Sequence, residues 1–270
     1  MAVQPRNGEV MSQRVAVKIC GVTDPAAALL SAELGADFLG LNFWPGSPRC
    51  VGIERAREIA AAVRSAAPRV ALVGVFVNPA PELVDETAAT IGLDLLQFSG
   101  DEPPAAVRPF AARAIKALRS HALAAAAAYA DCWGLLFDAP RVGASPGTGA
   151  AAEAPLAQDY GGTGRQWDYA AAAPVLAWAA GPADSTDAAG NAGPSGIAGI
   201  AGTAGTAGAR RRIFLAGGIR PDNVRRVIAT LRPFAVDVCS GVESAPGRKD
   251  PRLLRQLFEE VSNGQVDRPT

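Results

Sequence analysis

A chain of 270 residues, 49% hydrophobic and 19% charged, is long enough for one sizeable core and too apolar for wholesale disorder. With 26 basic and 26 acidic side chains the formal net charge is zero, so the chain shows no electrostatic footprint for nucleic acid. Its four cysteines, Cys20, Cys50, Cys132 and Cys239, have no C-x-x-C spacing, which argues against zinc and thioredoxin-type sites and fits a reducing compartment.

Short apolar runs alternate with helical patterns along the chain, the signature of a parallel sheet with crossover helices. The first strand is read over residues 15–20. Its helix is capped by Thr23 or Asp24, starts at Pro25 and stops at Gly35. Strands follow over residues 38–43, 70–77, 93–98 and 113–118, with helices over 53–65, 81–90, 103–110 and 121–130. A sixth strand over 134–137 ends at Asp138. The seventh covers 212–216 and the eighth 235–238, with helices over 221–231 and 250–261. Arg210-Arg211-Arg212 reads as a solvated approach to the seventh strand.

Eight such units in this length predict a single (β/α)8 TIM barrel. An open doubly wound sheet would put a glycine fingerprint after the first strand, whereas here the glycine pairs come late. Two segments interrupt the rhythm, residues 139–158 and residues 179–209. Both are too poor in apolar area to order themselves, as is the terminus over 1–13. The second should lie on the bottom face. The first lies on the catalytic face, where a lid and an idle insertion are both open readings. Residues 1–13 carry no signal-peptide core and no stretch has membrane-spanning length and composition, so a cytoplasmic protein without a membrane partner is expected.

The chemistry is read from the strand ends. Leu215-Ala216-Gly217-Gly218-Ile219 and Cys239-Ser240-Gly241-Val242-Glu243 follow strands seven and eight, the loops that commonly cup a phosphate in barrels. Two tight turns are the plainer reading. Most free cysteines are packed hydrophobes. Cys20, however, closes the first strand beside Gly21, and Lys18 points to the same side, where an ammonium would favour a thiolate base. Asp138 is either a loop cap or an acid whose pKa partial burial would raise. Asp237, inside the eighth strand, would orient groups on that face or satisfy loop amides. Arg49, after the second strand, could hold a carboxylate bidentately or be a solvated loop residue. Cys50, Cys132 and Cys239 read as packing, and His121 as a surface or capping residue.

Together these motifs resemble the phosphoribosylanthranilate isomerase family of tryptophan biosynthesis. The similar stretches are Lys18-Ile19-Cys20-Gly21-Val22-Thr23, Gly35-Ala36-Asp37, Val73-Gly74-Val75-Phe76-Val77-Asn78 and Tyr160-Gly161-Gly162-Thr163-Gly164. They continue through Ala216-Gly217-Gly218-Ile219, Pro221-Asp222-Asn223-Val224, the run from Val236 to Glu243, and Pro246-Gly247-Arg248-Lys249-Asp250. The resemblance implies a cofactor-free Amadori rearrangement of a small phosphoribosyl substrate, with no metal. Asp138 would protonate the ribose ring oxygen and Cys20 would remove the C2′ proton. Arg49 would hold the anthranilate carboxylate. Gly217, Gly218, Asp237, Ser240 and Gly241 would complete the substrate site. It leaves monomer and homodimer both open. Phe98-Ser99-Gly100 departs from the family's usual Leu-His-Gly, and Cys239 stands where the family usually has serine. A related phosphoribosyl barrel of the histidine pathway would need an Asp/Asp pair. An indole-glycerol-phosphate synthase would need a Lys/Glu set at strand ends, for which Lys116 is a candidate but the Glu partners are missing. A non-catalytic phosphate-binding barrel is the reading from another class.

Overall fold

The computed structural model describes residues 14–118, 123–138 and 211–266. The expectations for residues 1–13, 139–158 and 179–209, for His121 and for the run Tyr160 to Gly164 lie outside the described residues. The eight strands are β1 (Ala16–Cys20), β2 (Phe38–Asn42), β3 (Ala71–Phe76), β4 (Leu95–Phe98), β5 (Ala114–Leu118), β6 (Gly134–Asp138), β7 (Ile213–Ala216) and β8 (Ala235–Val238). They pair in sequence order, all parallel, and β8 closes on β1, so the barrel is complete.

Because side chains alternate along a strand, each strand feeds two cores. One set packs outward under the helices. The other fills the barrel, with Phe38, Val73, Leu95, Ile115, Leu136 and Phe214 among its members. The lower interior is closed by an aromatic plug. Phe214 lies 5.3 Å from Phe38 and 5.4 Å from Phe234, ring centre to ring centre, both edge-on. Each such buried ring contributes about 1.5–3 kcal/mol in transfer free energy. Arg212 belongs to this floor. It is buried, its guanidinium lies 4.6 Å from the Trp133 ring, and Nη1 donates to the Trp133 carbonyl at 3.2 Å. The reading of the arginine run as solvated therefore fails at Arg212, because stacking and a carbonyl acceptor compensate its burial.

Helix boundaries follow local chemistry. Asp24 caps helix α1 (Pro25–Leu34) by accepting from Ala27 N at 2.8 Å, and Gly35 takes the left-handed stop at φ 108°. β4 begins at Leu95 rather than at residue 93. Asp94 is held in the turn, accepting from Leu72 N at 2.7 Å and from Arg64 at 2.6 Å. The expected helix over 103–110 is one α-turn, Pro104–Val107, continued as a 3-10 helix over Arg108–Arg113. Past β8, a short 3-10 helix (Ser240–Val242) leads into an unforeseen ribbon, β9 (Glu243–Ala245) against β10 (Arg248–Lys249). The final helix, Pro251–Val266, runs past the expected residue 261. Among the described residues no helix is long and apolar enough to cross a membrane.

Candidate active site

Inward-facing positions rise in layers from the aromatic plug to the open end of the barrel. On β1 they are Ala16, Lys18 and Cys20, and on β8 Ala235 and Asp237, with Cys239 just beyond the strand. Lys18 is fully buried and its Nζ lies 2.9 Å from Asp237 Oδ1. Burial alone would lower the Lys18 pKa. The anionic Asp237 and Cys20 beside it outweigh that, so the ammonium stays charged. Burial pushes the Asp237 carboxyl up to about 7, against the pull of Lys18. Cys20 and Asp138 both act on Asp237 electrostatically, so base and acid candidates both lie near the buried Lys18–Asp237 pair. Asp138 ends β6 half-buried, and its backbone pairs with Ala216 of β7.

Cys20 has a built environment. A methyl group added at Gly40 of β2 would lie 2.9 Å from Cys20 Sγ and 3.2 Å from Lys18 Nζ. The absent side chain of Gly40 is thus the space in which thiol and ammonium meet. A hydrogen bond from the Cys239 thiol holds Cys20 well below the ordinary thiol range. Burial opposes this, and the Lys18 charge reinforces it. Cys239 is correspondingly raised by that hydrogen bond and by burial. Reading Cys239 as packing alone missed this contact.

Arg49 is not a solvated loop residue. Its Nε donates to Glu243 Oε1 at 2.9 Å and its Nη2 to Oε2 at 2.7 Å. This bidentate clamp raises the guanidinium pKa and leaves the other side of the fork for a second anion. Glu243 also accepts from Lys249 Nζ at 2.8 Å. Burial would raise its pKa, but Arg49 and Lys249 hold it below the usual carboxylate range. The ribbon β9–β10 exists in the right place to deliver both Glu243 and Lys249. Glu243 and Lys249 stand in the quoted motifs, but no sequence signal marked them as partners of Arg49.

The two glycine loops converge. Gly217 and Gly218 adopt positive φ of 91° and 62° after β7. A methyl group at Gly241 would lie 2.0 Å from the carbonyl oxygen of Ile219, so the loops after β7 and β8 touch backbone to backbone. Asn223 braces the first loop, donating to Gly218 O at 2.8 Å and accepting from Arg220 N at 2.9 Å. Ser240 opens the 3-10 helix beside it.

On β4, Gln97 faces the interior and its Nε2 lies 2.9 Å from Ser99 Oγ, where a histidine is usual in the resembling family. Lys116 of β5 faces the opposite way. Its Nζ pairs with Glu102 at 2.7 Å and holds Gly100 O at 2.7 Å, fixing the loop after β4 from outside the barrel. It cannot serve the Lys/Glu chemistry of an indole-glycerol-phosphate synthase.

A closed parallel barrel that gathers a thiol, a carboxylate and two glycine loops at the C-terminal ends of its strands has the layout of a (β/α)8 barrel enzyme. Comparison with known proteins narrows the class. The family model described as N-(5′-phosphoribosyl)anthranilate (PRA) isomerase matches residues 17–181 and 194–260. An N-(5′-phosphoribosyl)anthranilate isomerase of Citrifermentans bemidjiense is 38% identical over 249 residues, covering 91% of this chain and 96% of that protein. The crystal structure of phosphoribosyl anthranilate isomerase from Thermotoga maritima superposes with TM-score 0.69 at 31% identity, over 92% of this chain and 99% of that one. A phosphoribosyl anthranilate isomerase in complex with reduced 1-(o-carboxyphenylamino)-1-deoxyribulose 5-phosphate superposes with TM-score 0.65 at 29% identity, covering 92% and 99%. The chain belongs to the N-(5′-phosphoribosyl)anthranilate isomerase family, enzymes of tryptophan biosynthesis.

Proposed function

We propose that this chain isomerises N-(5′-phosphoribosyl)anthranilate to 1-(2-carboxyphenylamino)-1-deoxyribulose 5-phosphate, with Asp138 as general acid and Cys20 as general base. Asp138 donates a proton to the ribose ring oxygen, the C1′–O bond breaks, and the anilino nitrogen supplies the electrons of a Schiff base. Cys20 thiolate then takes the C2′ proton, and the resulting enolamine tautomerises to the ketone. The observation that carries this reading is the shared hollow at Gly40, which brings Cys20 Sγ beside Lys18 Nζ. The Cys239 hydrogen bond and, behind it, the Lys18 charge favour the thiolate there.

The remaining residues bind. Arg49, pre-aligned by Glu243, has a fork side suited to the anthranilate carboxylate. The joined loops of Gly217, Gly218, Ser240 and Gly241 suit the 5′-phosphate, because amides converging at the end of a barrel favour an anion. Asp237 contributes by anchoring Lys18 under the substrate. The chain acts as one barrel domain with insertions over 139–158 and 179–209, and works in the cytoplasm.

The test is genetic. Expression of the full chain in a tryptophan auxotroph lacking the isomerase restores growth without tryptophan. Failure to restore growth, with the protein present and folded, contradicts the proposal.

A further inference from the structure

Cys20 and Cys239 are sequence-remote thiols brought side by side. β1 and β8 are neighbours with Ile19 opposite Val238, so the next position on each chain is Cys20 and Cys239. Neighbouring strands lie about 4.7–4.9 Å apart, inside the about 4.4–6.8 Å that disulfide Cα atoms span. Cys239 has left the strand geometry, at φ −121° and ψ −87°, which frees its side chain to turn towards Cys20. Cys239 Sγ lies 3.9 Å from Glu243 Oε1 and would be 3.1 Å from a methyl group added at Gly21, the residue next to Cys20. Lys249 Nζ lies 3.8 Å from Cys239 Sγ, and Lys18 Nζ shares the Gly40 hollow with Cys20 Sγ, so each sulfur has an ammonium nearby. Neither cysteine is sealed from solvent.

We propose that Cys20 and Cys239 form a peroxide-sensitive modification site, closing into an intramolecular disulfide when the enzyme meets a hydroperoxide. The Cys20 thiolate attacks a peroxide oxygen, the O–O bond breaks, and hydroxide leaves to be protonated as water, giving a sulfenic acid on Cys20. Cys239 sulfur then attacks the Cys20 sulfur. The S–O bond breaks, the thiol proton leaves with hydroxide as a second water, and the S–S bond forms. Two thiols are oxidised by two electrons and one hydroperoxide is reduced. A dithiol reductant reverses the bond. The disulfide removes the thiolate, so turnover stops, a consequence that rests on the role proposed for Cys20. The disulfide itself does not depend on that role.

The experiment uses the full chain in a Cys50→Ser, Cys132→Ser background, treated with hydrogen peroxide. Expected are a mass decrease of about 2 Da, a cross-linked peptide joining Cys20 to Cys239, and loss of turnover reversed by dithiothreitol. In a further Cys239→Ser variant, excess peroxide instead carries Cys20 to the sulfinic acid, a gain of about 32 Da that dithiothreitol does not reverse. Absence of the Cys20–Cys239 peptide from the peroxide-treated chain overturns the proposal. A cross-link that forms without loss of turnover leaves the modification site standing and contradicts instead the role of Cys20 as base.

Discussion

Lys18 Nζ lies 2.9 Å from Asp237 Oδ1 on the floor of the site, the lysine fully buried and the aspartate 7% exposed. Breaking a buried pair leaves one charge uncompensated, which costs about 3–5 kcal/mol. Lys18→Met is therefore expected to lose stability of about that size in urea unfolding. The Lys18→Met, Asp237→Leu double variant should recover most of it while remaining inactive. A double variant no more stable than the single one contradicts this account of the pair.

The same ammonium, reinforcing the Cys239 hydrogen bond, helps to set the acidic limit of activity. The thiolate is the working form of Cys20, so kcat/KM falls as the pH drops through the Cys20 pKa, which lies well below 9.0. Without the Lys18 charge the thiol ionises at higher pH. The acid limb of the pH–rate profile therefore moves upward in Lys18→Met, and alkylation of Cys20 by iodoacetamide shifts in the same direction. An unmoved limb shows that Lys18 does not act on the thiol.

Gly40→Ala introduces a methyl group 2.9 Å from Cys20 Sγ and 3.1 Å from Cys20 Cα. The backbone of β1 cannot yield, so the thiol is displaced. A misplacement of about 1 Å at a reacting group costs on the order of 100-fold in rate. Steady-state kinetics should show a kcat loss of that order. Gly52→Ala, where an added methyl group meets nothing within 4 Å, should leave kcat unchanged.

Glu243 accepts from two donors of Arg49, so Glu243→Gln loosens the guanidinium without removing it. KM for the carboxylate-bearing substrate should rise about tenfold, about 1.4 kcal/mol, with a smaller change in kcat. An equal fall in kcat with KM unchanged would assign Glu243 to the chemical step instead.

The barrel and its strand ends were legible because apolar runs stop abruptly at a residue that breaks the pattern, as at Cys20 and Asp138. The glycine pairs were legible through their late position. What escaped were partnerships. Arg49 and Glu243 are 194 residues apart, and the ribbon that carries Glu243 and Lys249 is too short for a periodic signal. Arg212 looked solvated because a run of three arginines hides the one that stacks on Trp133. Cys239 looked like packing because its neighbour across the β1–β8 seam closes the barrel only in three dimensions. Lys116 shows the converse. Its strand was read correctly, yet its side, set by strict alternation from Ile115, decides that it supports a loop and not the site.

The central claim is the division of labour between two strand ends. The measurement that tests it most directly is single-turnover conversion of N-(5′-phosphoribosyl)anthranilate by Cys20→Ala and Asp138→Ala, each checked for native circular dichroism. The account predicts that both retain the fold and that neither turns over substrate measurably. Near-normal turnover in either folded variant contradicts it.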